Sequence, residues 1–145
     1  MKNKYVAGAL SLVIGMLTLN GIAIAHGTEK HGKSAAAEAQ MKKLHSMMPM
    51  FSLASAKLET ALEKGEVATA EAEAEKIVAA IPDLKKSKPH KNVKQQTKFV
   101  ELAANLGKTV ATSVAQAKNG DLAGAKVSFK KAEEICAACH AKFRD

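Results

Sequence analysis

Leu122, Ala125, Phe129, Ala132, Cys136, Cys139 and Phe143 follow one another at steps of three and four. That rhythm places all seven on one side of an α-helix, and it is incompatible with the period of two that a half-buried strand needs. Two other segments repeat it. One carries Val67, Ala70, Ala74, Ile77, Ile81 and Leu84; the other carries Leu44, Met48, Phe51, Ser55, Leu58 and Leu62. A looser stripe runs through Val100, Ala103, Leu106, Val110, Val114 and Ala117. Breaks separate the four segments. Gly65 suits a helix C-terminus, Pro89 marks a longer connection, and Asn119-Gly120-Asp121 joins a terminating glycine to an aspartate able to cap the next helix. The spacing predicts helices over roughly 35–64, 67–86, 91–118 and 121–144. One apolar stripe per helix with short connections describes an all-α, antiparallel four-helix bundle.

The stripes are short of bulk. Many of their positions are alanine, there is no tryptophan, and the phenylalanines are Phe51, Phe99, Phe129 and Phe143. Interiors pack to a density that small side chains alone do not reach across a bundle. A large flat group that the sequence does not encode would supply the missing volume.

The N-terminal segment "MKNKYVAGALSLVIGMLTLNGIAIA" has two lysines, then no charge from Tyr5 to Ala25, and closes on Ala23-Ile24-Ala25. This is the form of a secretory signal peptide cleaved after Ala25; an uncleaved membrane anchor is the competing reading. Residues 26–34 then form a flexible mature N-terminus, and residues 35–145 the folded domain. Losing Lys2 and Lys4 lowers the formal charge from +8 to +6. Such a surface suits acidic protein partners. Without a concentrated basic run or stacking aromatics, it does not call for nucleic acid. No stable membrane insertion is expected after cleavage.

Both cysteines of the chain fall in Cys136-Ala137-Ala138-Cys139-His140. C-x-x-C-H is the attachment pattern of c-type haem. Two thiols one helical turn apart can each add to a vinyl group, and the adjacent imidazole becomes an axial iron ligand. The alternatives fit less well. A redox C-x-x-C wants a thioredoxin-like βαβ setting, a structural zinc site wants a second ligand pair, and a disulfide across one helical turn is geometrically poor. The expected cofactor is one covalently attached haem c per chain, held by Cys136 and Cys139, with His140 on the iron.

A C-x-x-C-H-x-x-[Tyr/Phe]-Arg ending on the last helix of a bundle resembles the class II cytochromes c, the cytochrome c prime group. This chain reads Cys136, Cys139, His140, Phe143, Arg144. The Gly-Asp turn in "KNGDLAGAKVSF" matches as well, as does Pro89 followed by Phe99; where the family often has a tryptophan between them, this chain has Asn92-Val93. The resemblance implies a bacterial, periplasmic monohaem protein that is not an enzyme, with Phe99, Phe143 and Arg144 near the haem. An antiparallel homodimer through the first two helices would be in keeping with the family.

The resemblance also places the far side of the haem against helix one, about sixteen residues before the glycine that ends it, so a cavity is expected beside His140, facing that helix. Counting back from Gly65 reaches Pro49, in "LHSMMPMF". The stripe through Leu44, Phe51 and Leu58 selects Met48 as the second axial ligand, with Met47, Met50 and His45 as alternatives; methionine also fills cores with no further role. A methionine ligand implies a one-electron carrier exchanging electrons with periplasmic redox proteins. A non-ligand there implies five-coordinate iron that binds nitric oxide or carbon monoxide. A third reading is a haem-free metal-handling protein using His26, His31 and the methionine-rich segment. His90, in the polar connection, reads as a surface residue.

Overall fold

The computed structural model describes residues 35–144. The expected signal peptide and mature N-terminus, with His26 and His31, lie outside the described residues. Four α-helices follow in order: α1 (Ala35–Lys64), α2 (Val67–Lys86), α3 (Gln96–Lys118) and α4 (Leu122–Phe143), with a 3-10 turn at Val93–Gln95 before α3. No strand occurs among the described residues. The chain is thus all-α, in the bundle arrangement that the stripes predict. Among the described residues no helix is long and apolar enough to cross a membrane.

The breaks work as their residues require. Gly65 and Gly120 take positive φ values of 72° and 82°, a region open to glycine at little cost. Asp121 caps α4: its Oδ1 accepts from the Gly124 N–H at 2.8 Å. The one boundary that moves is the start of α3, at Gln96 instead of about 91. Pro89 is buried and cannot donate to a helical ladder, and Asn92 stands in the left-handed region (φ 54°, ψ 35°). Residues 87–92 therefore cross the end of the bundle as irregular chain. They are tied down by Lys91 N–H donating to the Phe143 carbonyl (3.2 Å), Asn92 Nδ2 donating to the Lys142 carbonyl (2.6 Å) and Gln96 Nε2 donating to the Ser87 carbonyl (2.9 Å).

The core is one cluster built from all four stripes, with Leu58, Leu62, Ile77 and Val110 at its centre. Alanine is frequent in it: Ala54, Ala61, Ala70, Ala74, Ala103, Ala117, Ala125 and Ala132 are all buried. Small residues let neighbouring helices approach. A Cβ at Gly107 on α3 would stand 2.9 Å from Cγ1 of Ile81 on α2. The packing is uneven around the bundle. α1 lies along α2, α2 along α3, and α3 along α4, but α4 meets α1 only sparsely. The thin seam is the one between the first and last helices.

Candidate functional site

α4 carries Cys136 and Cys139 one turn apart, half-buried and packed against the core cluster, with His140 exposed beside them. The helix is anchored from below. Phe143, 3% exposed, meets Phe99 of α3 edge to face, with centroids 5.4 Å apart. The two phenylalanines thus support the motif as part of the core. Arg144 ends the helix: its N–H donates to the His140 carbonyl at 3.1 Å, and its side chain is exposed.

The electrostatics suit this set of donors. Both cysteines are free thiols. Burial pushes the Cys136 thiol above the ordinary range, with the Glu133 carboxylate adding to the effect. Burial likewise raises Cys139, assisted by Cys136. Burial lowers His140 below the usual imidazole range, and the Arg144 charge pushes the same way. At neutral pH the site therefore offers two protonated thiols and one neutral imidazole, the protonation states that thioether formation and iron ligation start from. One helical turn presents all three groups, and the two thiols pack against the core cluster. The residues present fit a covalently held haem.

The structure distributes the helix-one candidates over different faces. Met47 is in the buried stripe Leu44, Met47, Phe51, Ala54, Leu58 and is 6% exposed. Met48 and Met50 are half-buried against the core. The apolar rhythm admitted both Met47 and Met48, three and four residues after Leu44; the next members, Ala54 in place of Ser55, put the stripe's centre on Met47. The flanks differ in direction. Lys43 pairs with Asp83 of α2 at 2.8 Å, and Met50 lies one heptad beyond Lys43, on the α2 side. His45 instead meets His90 of the 87–92 connection, Nε2 to Nε2 at 3.2 Å. Met48 is three residues beyond His45 on this second flank, toward the connection that is hydrogen-bonded to the end of α4.

Two expectations change. His90 is half-buried and paired with His45 across the fold, not a simple surface residue. Forty-five residues separate the two, and no local pattern announces the contact. The space expected beside His140 is not among the two hollows found between the described helices. Those are shallow grooves, one between α3 and α4 around Leu102, Thr109 and Ile135, the other between α2 and α3 around Ala74, Val78 and Val114. Neither is lined by Cys136, Cys139 or His140. The interior rich in alanine is closed over by approaching helices, and the thinnest packing is between α1 and α4. Among the described residues no group of three or more His, Cys, Asp or Glu side chains converges on a metal position.

A family model described as cytochrome C' matches residues 83–144, from the end of α2 through α3 and α4 and including the whole motif. No curated protein and no solved structure matches the chain.

Proposed function

We propose, from the premise that residues 83–144 are of the cytochrome c' kind, that this chain is an exported monohaem c-type cytochrome that carries one electron. The observation that carries the reading is Cys136-x-x-Cys139-His140 on the last turns of α4, inside the region the family model matches. Cys136 and Cys139 would hold the haem covalently and His140 would ligate its iron from α4. When bound, the group supplies a one-electron couple, whose potential the axial ligands and the apolar surroundings tune.

The chain's own residues have three tasks in this reading. Phe99 and Phe143 fix the end of α4, so the attachment turn is rigid. The core cluster excludes water from one side of the cysteines. Met48 is the proposed second ligand: it is half-buried, not committed to the stripe centre, and on the flank of α1 turned toward the end of α4. Closed six-coordinate iron suits electron transfer and excludes gases. The gas-binding reading keeps one supporting observation, the sparse contact between α1 and α4, which would leave room for a small ligand.

The partners are proposed to be periplasmic redox proteins with acidic docking surfaces. Exposed Lys85 and Lys86 at the end of α2, Lys88 and Lys94 between α2 and α3, Lys42 of α1 and Arg144 gather at the end of the bundle that bears the motif. Positive charge there would steer encounter toward the haem end, most strongly at low salt. Absorption spectra of the haem-loaded protein, oxidised and reduced, with and without carbon monoxide, test the ligand state. Low-spin spectra unmoved by carbon monoxide are expected. High-spin ferric haem with rapid carbon monoxide binding would transfer the reading to gas binding.

A further inference from the structure

The contact between His45 and His90 is the best-organised pair of ligating side chains outside the haem motif. The Nε2 atoms stand 3.2 Å apart, the ring centroids 5.0 Å apart, and the ring planes differ by 13°. The centroids lie well beyond the nitrogens, so the rings meet at their Nε2 corners and not face on face. A shared proton gives one account of such a contact. A straight N–H···N hydrogen bond at this nitrogen separation, however, would hold the centroids about 5.5 Å apart. The observed separation is shorter, so the ring axes depart from the line between the nitrogens, as those of two rings aimed at a common point beside that line would.

That point has the geometry of a metal position. A zinc-like ion lies about 2.0–2.1 Å from an imidazole nitrogen, whose ring centroid is about 1.1 Å further back; with Nε2 atoms 3.2 Å apart, such an ion would subtend about 100° between them and set the centroids about 5 Å apart. The centroid distance is an independent observation, and it agrees. We propose that His45 and His90 form a two-imidazole site for a borderline divalent transition cation such as Zn²⁺, with water completing the coordination.

The two rings are held by separate, fixed supports, so little ordering is left to binding. His45 stands on α1, whose Lys43–Asp83 ion pair (2.8 Å) ties that turn to α2. His90 stands between buried Pro89 and the two hydrogen bonds that Lys91 and Asn92 make to the end of α4. A bound cation would therefore cross-link α1 to the α2–α3 connection at the same end of the bundle as the haem motif. Imidazole is a good ligand for zinc, copper and nickel, and it binds as the neutral base, so affinity falls with acidification. This site is separate from the proposed haem ligands and assigns His45 to the cation in place of iron.

The test is calorimetric titration of Zn²⁺ into the haem-loaded chain, beside the variants His45→Ala and His90→Ala. One equivalent should bind to the parent, each variant should bind at least tenfold more weakly, and the haem spectrum should be unchanged in all three. In the unsubstituted chain, the Nε2 nitrogen-15 resonances of both histidines should shift on adding Zn²⁺, which removes any dependence on the variants folding. Equal binding in parent and variants, no binding by the parent, resonances that stay in place, or loss of a low-spin haem spectrum in His45→Ala would each overturn the proposal.

Discussion

Met47 and Met48 are adjacent, yet the structure buries the first and leaves the second half-buried. Met47 is buried among the stripe residues of α1, and truncating it leaves a cavity. Met47→Ala should therefore cost about 2–5 kcal/mol, read as a lowered denaturation midpoint, with the iron spectrum kept. Met48→Leu conserves volume and should cost under about 1.5 kcal/mol. It should nevertheless lower the reduction potential and admit carbon monoxide. The reverse pattern would make Met47 the ligand. The thiols and the imidazole lead to a second expectation, for chain made without haem. Burial raises both thiols in the folded state, so their stabilising contribution is complete below the unfolded thiol range and is lost as pH rises above about 8.5. Burial lowers His140, so its contribution is present above the unfolded imidazole value and is lost as pH falls below about 6.5. Haem-free chain should be most stable between these limits, judged by urea midpoints across pH. Conversion of both thiols to thioethers should remove the alkaline decline; its persistence in haem-loaded protein would contradict attachment.

The helices were legible because stripes, glycines and a capping aspartate agree with one another. α1, α2 and α4 begin and end within a residue or so of where Gly65, Gly120 and Asp121 put them. α3 was misread at its start because the tertiary hydrogen bonds of Lys91 and Asn92 to the end of α4 outweigh local helix preference. The proposed attachment turn could be read from sequence because its three groups lie within one helical turn. The His45–His90 pair and the direction each methionine faces depend on how distant elements meet, and no sequence spacing encodes that. Gly107 is another tertiary feature. Alanine there gains up to about 1 kcal/mol of helix propensity. Its Cβ would meet Ile81 at 2.9 Å, forcing α2 and α3 apart where they touch. Overpacking of this kind typically costs about 1–3 kcal/mol, so Gly107→Ala should be net destabilising in thermal or urea unfolding. An unchanged or raised midpoint would show that the α2–α3 contact yields readily.

At the scale of the whole molecule, the alanine-rich core and the sparse α1–α4 seam describe a bundle closed on three sides and thin on the fourth. The half-buried cysteines and the neutral histidine stand on α4 and Met48 stands on α1, the two helices that meet sparsely. The central claim is that a haem belongs there, bonded to the chain. The most direct test is the mass of the protein purified from a host that attaches c-type haem, measured intact under denaturing conditions. The chain should be heavier than its polypeptide by one haem, and Cys136→Ala with Cys139→Ala together should abolish the increment. A mass equal to the bare polypeptide, in a host that loads other C-x-x-C-H proteins, would contradict the account.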